Sequence, residues 1–476
     1  MNMFIYMPLL PEIMLSIMSM VLLMVGVFRK NENSYEIVSN LAIISLLLIT
    51  AIILSGSISD GVAFGNSLIS DSFSQYLKIL ILVSTIIILI VSNIYLKNIK
   101  LLKFEYVILI LISVIGMMLM VSSNDLVTLY LSIELQSLPL YVLASIRNTS
   151  SKSTESGLKY FVLGALSSCI LLYGLSLIYG YSGSIYYTDI ASTLVDYEVG
   201  ILIGLAFTLA GFAFKISAVP FHMWTPDVYE GSPTTITAFF AVAPKIAALG
   251  LITRMLFTAL PGLVDDWQSI LILLSILSML LGAFSAIGQS NIKRLLAYSS
   301  ISHMGFALMG VINGSIEGVT SLCLYLLIYL AMSLAIFISI IALKNGDEHI
   351  EDINQLSGLS KTKPINAIII SILLFSLAGI PPLAGFFAKF YVLYAAISVE
   401  LYYLAVFGVL SSVISAFYYL RIIKIMYFEE SVITYDPVSK RLNSIIYLLT
   451  AFVLLFFVKP SLFISFAQTA SLALFS

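Results

Sequence analysis

Apolar residues run along this chain in blocks of about twenty, parted by short polar stretches. A membrane-crossing helix needs about 20 apolar residues. On that measure the sequence predicts about fourteen helices, at 8–28, 37–55, 74–96, 104–121, 125–146, 157–181, 200–229, 233–256, 268–289, 292–312, 317–343, 364–398, 400–427 and 442–466. Two blocks, the seventh and the twelfth, are too long for one straight crossing. Pro220 interrupts the seventh; Pro381 and Pro382 interrupt the twelfth. Proline removes a backbone donor and kinks or breaks a helix. Such breaks are tolerated at membrane depth where they line a polar cavity or are buried in protein. The fold class expected is an all-α integral membrane protein.

Charge placement supports this count. Lys and Arg cluster after odd-numbered spans: Arg29 and Lys30, then Lys97, Lys100 and Lys103, Arg147 and Lys152, Lys293 and Arg294, Lys344, Lys361 and Lys363, and Lys440 and Arg441. After even-numbered spans the loops carry mostly acids, among them Asp60, Asp71, Asp125, Asp189, Asp196, Glu198, Asp265, Asp266 and Glu317. Basic loops stay on the cytoplasmic side, so both termini are expected on the opposite, positive side. Composition agrees. The chain is 60% hydrophobic and 10% charged, against about 25% charged in a soluble globular protein. The opening "MNMFIYMPLL" has no basic n-region, so the first apolar block is expected to be kept as a span. Cys169 and Cys323 make no ligand-like spacing.

With most basic residues used as loop anchors, the informative charges are those left at mid-depth. Glu134 lies about 14 Å along the fifth helix, Lys245 about 18 Å into the eighth and His303 about 17 Å into the tenth. Lys215 sits halfway through the seventh block, and Lys389 lies seven residues beyond Pro382. An ionisable residue at the bilayer centre costs at least about 2.5–3.5 kcal/mol. Five along one chain read as stations of a proton path facing the bundle interior. Burial disfavours the charged form of either an acid or a base, and an opposite charge nearby restores it. Glu134 and Lys215 are therefore expected to form a gating ion pair, with Lys245, His303 and Lys389 as carriers. A structural bridge is the competing reading for any single pair, and a packed neutral imidazole is the competing reading for His303.

His222 and Trp224 follow the first break and either line it or pack. Lys159, near the end of the sixth helix, is a second-rank candidate beside His222. Trp267 is expected as an interface anchor. Lys78, Arg254 and Arg421 lie near span ends, where snorkelling is expected. His349 lies in the polar loop "KNGDEHIED". No P-loop, dinucleotide glycine pattern or metal-ligand spacing occurs, so no cofactor, metal or nucleic acid is expected on this chain.

Several long segments carry a family resemblance: "IELQSLPLYVLAS" (133–145), "ESGLKYFVLGALSS" (155–168), "FKISAVPFHMWTPDVYEGSPTTITAFFAVAPK" (214–245), "NIKRLLAYSSISHMGF" (291–306) and "LAGIPPLAGFFAKFYV" (377–392). They resemble the antiporter-like subunits of respiratory complex I, a family related to Mrp antiporters. Within it they are most similar to the N branch, called subunit 2 in mitochondria. The resemblance implies fourteen helices with two inverted five-helix repeats and a proton half-channel in each. It places N-terminal helices at 8–103, the repeats at 104–256 and 268–427, and a last helix at 442–476. It puts Glu134, Lys215, Lys245 and Lys389 at channel positions, with His303 a looser match. The two breaks are not sequence copies: Lys precedes Pro in the first and follows it in the second.

The resemblance further implies a proton-translocating subunit of NADH:quinone oxidoreductase, in a bacterial cytoplasmic membrane or the mitochondrial inner membrane. NADH, FMN, iron–sulfur clusters and quinone would sit on partner subunits. A hetero-oligomer with the sibling subunit M, the small subunit K and lipids is implied. The alternatives are a subunit of a multisubunit Na⁺/H⁺ antiporter of the same fold, or a structural membrane scaffold.

Overall fold

A computed structural model describes residues 7–29, 34–193, 199–346, 348–430 and 433–475. Lys30, Asp196 and Glu198 of the loop-charge pattern lie outside the described residues. The helices, in order, are α1 (Leu10–Phe28), α2 (Ser34–Leu54), α3 (Ser72–Asn98), α4 (Phe104–Ser122), α5 (Leu126–Ala144), α6 (Ser151–Ser182), α7 (Tyr187–Thr193), α8 (Val199–Ile216), α9 (Trp224–Gly231) and α10 (Thr234–Thr258). They continue as α11 (Val264–Ile287), α12 (Ile292–Ile312), α13 (Ile316–Ala342), α14 (Leu359–Thr362), α15 (Pro364–Ala378), α16 (Ala384–Ser398), α17 (Tyr402–Phe428), α18 (Lys440–Leu455) and α19 (Pro460–Phe475).

Among the described residues, thirteen helices are long and apolar enough to cross a membrane. The fourteenth crossing is the twelfth block, which is two shorter helices, α15 and α16. The seventh block is α8, a turn, and the short α9. The fourteenth block ends earlier than its apolarity suggests. α18 closes in a 3-10 turn over Phe456–Val458, and Pro460 opens α19. A residue before proline is pushed away from helical backbone, and Lys459 there has φ −146° and ψ 64°.

Short polar signals start the crossings. Asp71 caps α3, its carboxylate accepting from Ser74 N while Ser74 Oγ accepts from Asp71 N. Asp125 caps α5 through Thr128 N at 2.7 Å. Ser315 caps α13, and Asn291 caps α12 by accepting from Lys293 N and Arg294 N. A capping residue satisfies donors that the first turn leaves orphaned, worth about 1 kcal/mol each.

The chain forms two compact units. One comprises Met1–Ile216, Ala243–Ile270 and Gln468–Ser476; the other comprises Ser217–Val242 and Leu271–Ala467. In the first unit, α6 packs along α8 and α4 along α5. Three residues expected at its surface are instead inside it. Lys78 is buried and pairs with Glu12 at 2.6 Å. Arg254 is buried and grips Asp71 with two nitrogens, at 2.7 and 2.8 Å, while its Nε donates to Val121 O. Trp267 is fully buried and donates to Leu260 O. Each side chain has a protein partner that outcompetes the membrane surface. In the second unit, α13 packs against α16, α18 and α12, and α15 lies along α17.

Candidate functional site

The seventh block breaks where α8 ends at Ile216. Ser217 takes a left-handed backbone, φ +64°. The chain then turns through residues 218–223 before α9 begins at Trp224. His222 lies in this turn, buried, and its Nδ1 has no hydrogen-bond partner among the described residues. Pro220 is exposed on the turn. Lys215 occupies the last turn of α8, where backbone carbonyls have no helical partner and the helix dipole favours a cation.

Lys215 is buried, and its Nζ donates to Ser137 Oγ at 2.7 Å. Ser137 Oγ in turn donates to Ile133 O at 2.6 Å. Glu134 stands three residues before Ser137 on α5, a spacing that puts both on one helix face. Its Oε1 is buried without a hydrogen-bond partner, and its charge acts on Lys215 through space. The expected direct ion pair is not formed; Lys215 bonds to Ser137 instead. The hydroxyl takes the ammonium's hydrogen bond and leaves the carboxylate oxygen unmatched. Lys245 lies on α10 beside Pro244, buried in the same unit. The apolar window of α10 is entirely covered by protein. Lys159 lies on α6, partly exposed, and pairs with Glu155 at 2.6 Å.

The twelfth block breaks differently. α15 stops at Ala378, and Gly379 follows with φ +91°. Gly379 N and Ile380 N both bond back to Phe375 O at 3.1 Å, the return that closes a helix on a left-handed glycine. Pro381 and Pro382 form the exposed corner, and α16 starts at Ala384. Gly385 then presses against α15: a Cβ there would stand 1.8 Å from Ser376 O. Ser376 Oγ accepts from Gly385 N at 3.0 Å, so one half-helix caps the other.

Lys389, on α16, reaches back across this break. Its Nζ donates to Ala378 O at 3.0 Å and lies 4.9 Å from the Phe306 ring centre. Phe306 follows His303 by three residues on α12, and His303 Nδ1 meets Tyr325 Oη at 2.7 Å. The first unit therefore gathers Glu134 and Lys215 about Ser137. The second gathers His303 and Lys389 about Phe306. Sequence reasoning missed Ser137, Tyr325, Ser376 and Gly385. None carries charge; spacing from Glu134 offered the only signal for Ser137.

A cavity of about 300 Å³ opens beside Lys389, lined by Gly379, Phe386, Phe390, Val409 and Ser412 among others. No group of His, Cys, Asp or Glu fit to hold a metal ion occurs among the described residues.

The family described as "NADH:quinone oxidoreductase/Mrp antiporter, TM" matches residues 123–415. A curated relative from Rhodospirillum rubrum, NADH-quinone oxidoreductase subunit N, is 50% identical over 98% of this chain and 97% of its own length. A chain in the structure of respiratory complex I from Thermus thermophilus with bound aureothin superposes with a TM-score of 0.83. It is 29% identical, over 96% of this chain and 100% of that one. A chain of the Mrp complex from Dietzia sp. has the same TM-score at 20% identity, covering 100% of this chain and 98% of that one, a likeness of fold.

Proposed function

The chain belongs to the NADH-quinone oxidoreductase subunit N family, and from that premise we propose that Lys215, Lys245, His303 and Lys389, with Glu134 as the gate, carry its protons. It is a proton-translocating, multi-pass subunit of the membrane arm of NADH:quinone oxidoreductase. Support for the residue assignment comes from one observation above others. Each broken helix has a buried lysine at the C-terminal end of its first half: Lys215 by its place in α8, Lys389 by reaching back to Ala378 O.

Nζ of each lysine is the proton-bearing atom. Orphaned carbonyls and the helix dipole favour the ammonium; burial favours the amine. The balance is then open to a nearby charge. At Lys215 that charge is Glu134, held on the same face as Ser137. Movement of its carboxylate toward or away from Nζ changes whether the proton stays. We assign the two repeats to 104–256 and 268–427, and both termini to the positive side. We further propose that NADH, FMN, iron–sulfur clusters and quinone are handled by partner subunits, and that subunits M and K are neighbours.

The test is proton pumping by the assembled complex in vesicles. Lys215→Met and Lys389→Met are each expected to lower coupled turnover at least about tenfold while leaving the complex assembled. Wild-type proton yield per NADH in both variants would remove the assignment.

A further inference from the structure

The second unit also carries an apolar groove between α16 and α17, of about 490 Å³. Phe390, Tyr394, Val406 and Val409 on its walls are all exposed. Phe386, Phe390 and Tyr394 recur at four-residue spacing on α16, and their rings stack in series, with centres 5.8 and 6.1 Å apart. They form one continuous apolar wall. At its inner end the groove meets the cavity of about 300 Å³ beside Lys389, since Phe390, Leu393 and Val409 line both.

Two features distinguish this groove from a chance apolar crevice. Its inner end holds a cation. Lys389 Nζ meets the Ala378 carbonyl and the Phe306 ring, both neutral, and an ammonium has three protons to donate. Ser412, the other polar side chain at this end, already gives its proton to Gly408 O at 3.1 Å. A ligand's polar head is therefore met by a positive donor, which selects an acceptor and, above all, an anion. The groove is also long. From Phe386 to Ile397, both on its walls, α16 rises about 16 Å, so an extended chain matches it and a compact carboxylate does not.

We propose that this groove binds a long-chain fatty acid, with its tail along the stacked rings and its carboxylate on Lys389 Nζ. The acid reaches the groove from the surrounding lipid. Its tail gains little by exchanging hydrocarbon for an apolar wall, because lipid tails are equally apolar. Preference therefore lies in the head. A charge is costly at membrane depth, so the acid enters neutral. Its carboxyl proton passes to the amine of Lys389, giving a carboxylate and an ammonium with no change in net charge. The carboxylate then holds Lys389 in its protonated form, as an opposite charge in a water-poor site does. Bound acid therefore stalls proton transfer at Lys389, a consequence that alone rests on the carrier reading.

The test uses the assembled complex in vesicles free of fatty acid, with palmitic acid bearing a photoreactive diazirine on its chain as the probe. The wild type is expected to be labelled on α16 and α17. Excess palmitic acid is expected to displace the probe about tenfold better than methyl palmitate, which has the tail without the charge. Labelling only elsewhere, as when a neighbouring subunit covers this face, overturns the proposal. So does equal displacement by the ester, the result for a merely apolar crevice. Lys389→Met is expected to lower labelling about tenfold, and unchanged labelling overturns the site. Should that variant not assemble, Val409→Trp fills the junction of groove and cavity: a similar loss supports the site, and wild-type labelling overturns it. Labelling reads the site and proton yield reads the carrier, so the two assignments fail separately.

Discussion

Lys389 Nζ donates to the carbonyl of Ala378 at 3.0 Å, and so closes the open end of a helix to which it does not belong. Lys215 lies at the matching end of α8 by chain position alone. The two breaks differ in sequence order, with Lys before Pro in one and after it in the other. They converge in electrostatics. Lys389 meets a carbonyl that the break has released from helical bonding, and Lys215 sits in the last turn of α8, where the helix dipole favours a cation. What repeats is a position in a field, reached from opposite sides of a proline.

Loss of the Lys389 charge is expected to stop pumping, but its fit is as specific as its charge. Lys389 Cδ would lie 3.1 Å from a Cβ on Gly379. Gly379→Ala therefore presses on the lysine stem and strains a backbone at φ +91°, a strain of about 1–3 kcal/mol. Turnover is expected to fall with the lysine still in place. Proton uptake measured against assembled complex tests this; wild-type uptake per complex would show the lysine indifferent to its seat.

Gly385→Ala should act on folding rather than on the proton. Its Cβ would meet Ser376 O at 1.8 Å, against backbone with nowhere to move. Overpacking of this kind is expected to cost on the order of 3 kcal/mol or more. Native gels should show little of the subunit in assembled complex. A normal yield with normal heat resistance would mean that the half-helices do not abut in this way.

The two breaks were legible because proline inside a long apolar block has a backbone consequence whatever surrounds it. The burial of Lys215, Lys245 and Lys389 inside the protein was legible because a charge is costly against lipid. Lys78 and Arg254 misled for the same physics applied too locally. Distance from a span end suggests snorkelling, yet Glu12 and Asp71, remote in sequence, receive them inside the protein. The neutral partners were invisible. Ser137 and Tyr325 look like ordinary residues of an apolar helix until tertiary packing sets an oxygen against a charge or an imidazole.

Ser137 and Glu134 are expected to act as one unit on Lys215. Ser137→Ala removes the hydrogen bond at Nζ, worth about 1.5–3 kcal/mol for a charged donor. Glu134→Gln removes the through-space charge. In assembled complex, each should lower coupled turnover. Combined, they should depart from additivity by about 0.5–3 kcal/mol, the range for residues sharing one partner. Strict additivity of the logarithms of turnover would show that the two groups reach Lys215 separately, or not at all.

The Asp71–Arg254 pair gives the clearest pH signature. Burial alone would raise the Asp71 pKa, but the Arg254 guanidinium and the Ser74 donors override it and hold the carboxyl below its usual range. An aspartate in an unfolded chain titrates near about 3.9. The native value is lower, so the pair's contribution is complete above about pH 4 and is lost as pH falls through the native value. Removing one partner of a buried pair costs about 3–5 kcal/mol because the other charge is left unmatched. Asp71→Asn should therefore speed loss of this subunit from purified complex at neutral pH. It should also flatten the acid limb of the stability profile seen in the wild type. Equal dissociation half-lives of variant and wild type at neutral pH, read on native gels, would show that Arg254 finds its partner elsewhere.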